Sequence, residues 1–147
     1  MFTEDNILIL NKKITSKDEL FHIIAKKGIA LGCVENNEEA VFNGFKEREA
    51  LGTTGFQDGF GIPHCKIPII KKPTIIFVKS LIPIEWDSLD KKPLENLFAL
   101  FIPVDNNDQH LEMLVKISRK LMDENFRNKV KNANKTKELY EIISEAI

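Results

Sequence analysis

The run Leu97-Phe98-Ala99-Leu100-Phe101-Ile102 constrains the fold more than any other stretch of the chain. Six apolar residues bracketed by Pro93 and Pro103 are far short of the roughly 20 that a membrane-spanning helix needs. A strand turns successive side chains to opposite faces, so an unbroken apolar run needs apolar cover on both sides. The segment Leu94 to Val104 therefore reads as a central, doubly covered strand. Thr74 to Leu81 is β-branched and apolar enough for a second buried strand, and Ile7-Leu8-Ile9-Leu10 for a short first one.

The covering layers are helices. Ser16 with Glu19 matches a capping box, opening a helix with Leu20, Ile23, Ile24 and Leu31 near one face; Gly28 weakens it and Gly32 ends it. Asn36 with Glu39 fits a second box, for a helix through about Leu51 whose apolar members are Ala40, Val41, Phe45 and Leu51. Beyond the turn Asp105-Asn106-Asn107-Asp108, a stripe of Leu111, Leu114, Val115, Leu121 and Met122 predicts a third helix. A short helix over Asp123 to Ala133 follows, then a last one after Thr136 with Leu139, Ile142, Ile143 and Ala146 inward. Helices alternating with strands give an α/β class: a mixed β-sheet flanked by helices, a single-domain sandwich over residues 1–147. With 43% hydrophobic residues the chain can bury one sizeable core.

Charge excludes several partners. The chain has 21 basic and 22 acidic side chains, net −1, so it lacks the basic field that nucleic-acid binding uses. The lysine pairs 12–13, 71–72 and 91–92 fall in predicted loops and read as solvated charges. Cys33 and Cys65 form no C-x-x-C, which argues against a disulfide framework or a zinc site. Acidic residues stand where a signal peptide would be basic, and no run is long enough to cross a bilayer. A soluble, cytoplasmic protein is expected.

Chemistry gathers in residues 47–66, a segment punctuated by Gly52, Gly55, Gly59 and Gly61 and ending at Pro63-His64. Glycine lets backbone amides approach a ligand closely, and proline restricts the residue before it. The segment reads as a holder for one imidazole. Arg48 lies at the end of the preceding helix, where a cation also suits the helix dipole. His110 stands at the start of a later helix, and His22 reads as a partly exposed helical histidine. His64 and His110 both fall just outside predicted core strands, where α/β folds tend to place their sites.

Three kinds of chemistry are open to this set. A metal site lacks any H-x-x-x-H, H-x-H or C-x-x-C pattern. A nucleophilic dyad of Cys65 with a histidine lacks a surrounding signature, and adjacent residues usually diverge in direction. The third reading fits best: His64 accepts a phosphoryl group on a ring nitrogen, Arg48 neutralises the phosphoryl oxygens, and His110 donates one N–H. Glycine-rich backbone and helix-start amides add donors.

The residues Arg48-Glu49, Gly52-Thr53-Thr54-Gly55, Gly59 and Ile62-Pro63-His64 resemble the active-site signature of the fructose/mannitol-type (type 2) enzyme IIA domains of the bacterial sugar phosphotransferase system. The likeness continues through Trp86, the Leu97–Pro103 strand and Gln109-His110-Leu111-x-x-Leu114, over essentially the whole chain. The resemblance implies that His64 takes phosphate from phospho-HPr and passes it to a cysteine of enzyme IIB. Membrane enzyme IIC is then served indirectly, and a sugar or sugar alcohol is taken up and phosphorylated. It implies catalytic roles for His64, His110 and Arg48, phosphate contacts from Arg48, Thr54 and His110, and no metal or organic cofactor. A regulatory phosphoprotein of the nitrogen-related branch, acting by binding a partner protein, is the alternative. Two departures stand out: Cys65 follows the histidine where a small residue, often glycine, is usual, and Gly61 precedes Ile62 where alanine is common. Cys65 is expected to narrow the mouth of the site or expose it to oxidation. Phe56 and Phe60 are candidates for an apolar docking face.

Overall fold

The computed structural model describes residues 2–105 and 111–147. A mixed five-stranded sheet is sandwiched between two helical layers. Its strands are β1 (Ile7–Leu10), β2 (Phe60–Gly61), β3 (His64–Lys66), β4 (Thr74–Ile84) and β5 (Leu94–Ile102). The order is β1-β4-β5-β2, with β3 following β2 along the same side of β5. β4 and β5 run antiparallel, while β1 on β4 and both short strands on β5 are parallel.

Side-chain alternation on the two long strands builds two cores. Ile76, Val78, Leu97, Ala99 and Phe101 turn to one face, beneath α1 (Lys17–Leu31) and α2 (Glu38–Ala50). Ile75, Phe77, Phe98 and Leu100 turn to the other, beneath α3 (Glu112–Lys120), α4 (Glu124–Asn132) and α5 (Thr136–Ala146). The unbroken run of residues 97–102 is thus covered on both faces, as its composition requires.

Local details depart from the sequence reading for steric reasons. Ser16 caps α1 by accepting from the Glu19 amide, but Glu19 returns to Thr15 rather than to Ser16. Gly28 is a packing requirement and not a weak point: a Cβ there would sit 2.5 Å from the Phe101 ring. The cap of α2 is Asn37, which accepts from the Ala40 amide, and not Asn36. Leu51 lies past the helix end and is 85% exposed. In α3 the buried stripe is Leu114, Ile117 and Leu121, leaving Val115 and Met122 exposed. The turn 105–108 lies outside the described residues beyond Asp105. Trp86, in a polar connection, is itself buried edge-on to Phe21.

Candidate functional site

The glycine-rich segment folds as a tight hairpin. Gln57-Asp58-Gly59-Phe60 closes with the Phe60 amide donating to the Gln57 carbonyl, and both central residues have positive φ, 62° and 79°. Asp-Gly is the pair that a type I′ turn favours, because such a turn matches the right-handed twist of its flanking arms. The arms meet at Gly55 and Gly61, and the Ile62 amide donates to the Thr54 carbonyl. Trp86 packs against Gly55, where a Cβ would lie 2.7 Å from the indole. The space that an alanine Cβ would take at 61 is held by Leu94 Cδ1.

The hairpin delivers the chain to β3, which carries the histidine. Cys65 is fully buried against Gly44 of α2, so strand alternation turns its neighbours His64 and Lys66 outward. His64 is half-buried at the edge of a depression of about 410 Å³ lined by Gly44, Glu47, Arg48, Leu51, Lys66 and Ile67.

The ring nitrogens of His64 have different partners. Nδ1 lies 2.9 Å from the Ile62 carbonyl oxygen, which can only accept, so Nδ1 carries the proton. Nε2 then holds the lone pair and accepts from Arg48 Nε at 3.0 Å. Arg48 also donates from Nη1 to the Gly52 carbonyl at 2.9 Å, which fixes the guanidinium beside the imidazole. The last turn of α2 and the first strand after the hairpin therefore meet through two side chains 16 residues apart.

The residue beside Arg48 belongs to the signature, but the sequence assigns it no role. Glu49 is buried, and its carboxylate accepts from the Thr54 amide at 2.8 Å and from the Thr54 hydroxyl. Lys17 Nζ stands 3.6 Å away, held in turn by Asp87 and lying over the Trp86 ring. Thr54 is thus buried with its hydroxyl donated to Glu49. His110 lies outside the described residues.

Asp58 at the hairpin tip is clamped by Arg127 Nε at 3.1 Å and by Lys131, both of α4. Burial would raise its carboxyl, but the hydrogen bonds from Lys131 and Arg127 outweigh that and hold it below the usual range.

Other expectations change. Burial, aided by the charge of Glu47, pushes the Cys65 thiol up to about 12, and its Sγ faces Val41 O, away from the imidazole. Cys65 neither narrows the mouth of the site nor forms a dyad with His64. Phe60 is fully buried and Phe56 is half-buried against the same core; the exposed apolar residue beside Arg48 is Leu51. His22 does have a partner, Glu38, at 2.9 Å, and it stacks on Phe42, tying α1 to α2. Among the described residues no three His, Cys, Asp or Glu side chains gather, and no helix is long and apolar enough to cross a membrane.

Comparison with known proteins gives a consistent outcome. Residues 1–146 match the family model described as "Phosphoenolpyruvate-dependent sugar phosphotransferase system, EIIA 2". The fructose-specific EIIA component of the phosphotransferase system of Haloferax volcanii is 30% identical over 141 residues, covering 96% of this chain and 91% of that protein. The crystal structure of the nitrogen regulatory protein IIA-Ntr from Neisseria meningitidis superposes with a TM-score of 0.84 at 27% identity, over 96% of this chain and 94% of its own. In a complex from Escherichia coli, mannitol enzyme IIA, bound to phosphorylated mannitol enzyme IIB, shares the fold with a TM-score of 0.78 at 17% identity, over 99% and 98% of the chains.

Proposed function

The chain belongs to the EIIA type 2 family of the phosphoenolpyruvate-dependent sugar phosphotransferase system, and on that premise we propose that it is a histidine phosphoryl carrier. His64 accepts the phosphoryl group at Nε2 from phospho-HPr and passes it to a cysteine of enzyme IIB, for uptake and phosphorylation of a sugar or sugar alcohol of the fructose/mannitol class. One observation carries the reading: Nε2 holds an outward lone pair with a fixed guanidinium on it, while Nδ1 is committed to Ile62.

The chemistry follows from that pairing. The Nε2 lone pair attacks phosphorus, the donor's N–P bond breaks, and the donor imidazole leaves with the electron pair. Arg48 Nε–H must leave the lone pair as the new bond forms, and the phosphoryl oxygens become its acceptors, so the cationic donor exchanges a neutral acceptor for an anionic one. Nη1 stays on Gly52, so the guanidinium pivots and does not depart. His110 is proposed as a second donor to the phosphoryl group; Thr54, expected to contact phosphate directly, is instead buried with its hydroxyl on Glu49 and is assigned no such contact. Enzyme IIB as acceptor is supported by the mannitol complex.

The likeness to IIA-Ntr favours a second reading, in which the same phosphohistidine switches binding to a regulatory partner. Incubation with phosphoenolpyruvate, enzyme I and HPr should label the chain on histidine in an acid-labile, base-stable form, and His64→Ala should remove the label. Normal labelling of His64→Ala would defeat both readings. Onward transfer to an enzyme IIB cysteine favours the carrier, and a phosphoprotein that retains its label beside IIB favours the regulator.

A further inference from the structure

Three hydrogen-bonded links, joined through the backbone of Thr54 and Ile62, lead from a buried carboxylate to the active imidazole. Glu49 accepts from the amide and hydroxyl of Thr54; the Thr54 carbonyl accepts from the Ile62 amide; the Ile62 carbonyl accepts from His64 Nδ1. We propose that Glu49 and Thr54 are positioning residues that set the tautomer of His64 and so present Nε2 as the nucleophile.

The path works by placement. The Ile62 amide and carbonyl belong to different peptide units, so polarisation does not pass through its Cα, but position does. Glu49 fixes Thr54, Thr54 fixes Ile62, and Pro63 limits how the Ile62 carbonyl can turn. The same turn reaches the other nitrogen: Gly52, two residues before Thr54, holds Arg48 Nη1. A loosened turn therefore disturbs both neighbours of the ring at once. Nothing about holding a surface loop in place calls for burying a carboxylate, whose burial is costly unless it is fully engaged. Here the carboxylate takes both Thr54 donors and faces Lys17.

The proposal rests on His64 being the phosphoryl acceptor, but its test has a readout independent of transfer. Imidazole nitrogen-15 NMR reports directly which ring nitrogen carries the proton. The variants are Thr54→Val, which keeps the shape and removes the hydroxyl, Thr54→Ser, which restores it, and Glu49→Gln. The wild type is expected to show Nδ1–H. Thr54→Val and Glu49→Gln are expected to move the tautomer ratio about fivefold toward Nε2–H, the worth of one ordinary hydrogen bond, and to slow phosphorylation by HPr by a similar factor. Thr54→Ser should restore both. Variants that melt earlier with an unchanged tautomer ratio would overturn the proposal and leave a structural role only. Should Glu49→Gln not fold, the Val and Ser pair at 54 decides alone. A tautomer shift in a protein that HPr never labels would uphold the positioning and sink the phosphoryl reading.

Discussion

Replacing Gly44 with alanine probes the packing that turns His64 outward. A Cβ at 44 would lie 2.4 Å from Cys65 Sγ, 3.2 Å from Ile67 Cγ2 and 3.7 Å from Cys65 Cβ. The first contact is impossible without movement, the second is tight and the third is ordinary. Two effects oppose one another. Alanine gains roughly 1 kcal/mol over glycine inside a helix, and overpacking a core costs about 1–3 kcal/mol. The single variant should therefore be neutral to about 2 kcal/mol less stable. In a Cys65→Ala background the sulfur is gone, only the Ile67 contact has to give, and the same substitution should stabilise by up to about 1 kcal/mol.

The two backgrounds differ by about 2 kcal/mol, and the cost of Cys65→Ala itself cancels in the cycle. For a chain of this size that coupling is about 6 °C in melting temperature. Calorimetric melts of the four proteins measure it. Additivity within about 0.5 kcal/mol would mean that Cys65 does not face Gly44. Since strand neighbours point oppositely, it would also undo the outward placement of His64. A positive coupling would show why cysteine is tolerated where a smaller residue is usual: α2 supplies the missing volume at Gly44.

Two further outcomes follow from charge and burial. The folded carboxyl of Asp58 titrates below its unfolded value, so its stabilising contribution is complete above the unfolded pKa and is lost as pH falls through the folded one. Melting temperature should drop on acidification below about pH 4, and Asp58→Asn should flatten part of that slope; a parallel slope would show that the clamp to Arg127 and Lys131 carries no weight. Both thiols are buried and raised by desolvation, Cys65 to about 12, so a disulfide-exchange reagent at mild alkaline pH should react with neither until the protein unfolds. Stoichiometric modification of the native protein would contradict the inward placement of Cys65.

The layers of the fold were legible because period and length carry them. An unbroken apolar run must be covered twice, and the helical stripes state which faces do the covering. What escaped was one-residue phase. Asn36 and Asn37 are both good caps, and only the packing of Val41, Phe42 and Phe45 chooses between them. In α3 the expected stripe of Leu111, Leu114, Val115, Leu121 and Met122 mixes two faces: Leu114 and Leu121 do turn inward with Ile117, whereas Val115 and Met122, each one residue further round, are exposed. The strands β2 and β3 are only two and three residues long, and nothing so short has a readable period.

The site divides along a different line. Arg48 and His64 could be nominated from their own chemistry, since a cation and a nucleophilic imidazole are conspicuous near glycines. The Asp58-Gly59 turn is equally readable, because that pair is a strong hairpin signal, although the sequence reading takes Gly59 only as one of four glycines that let backbone amides approach a ligand. Glu49 is the instructive case, named in the signature but without a role. On sequence it is one of several acids on a polar helix end, and only the hairpin, by bringing Thr54 back over the last turn of α2, makes it an internal acceptor. An imidazole offered to a phosphoryl donor needs one nitrogen occupied and the other open. The occupied one is served here by a backbone carbonyl whose position depends on that buried acid. The reactive nitrogen is thus specified from beneath by residues that need never touch the phosphoryl group, and their role becomes visible only when hydrogen bonds are followed through the backbone.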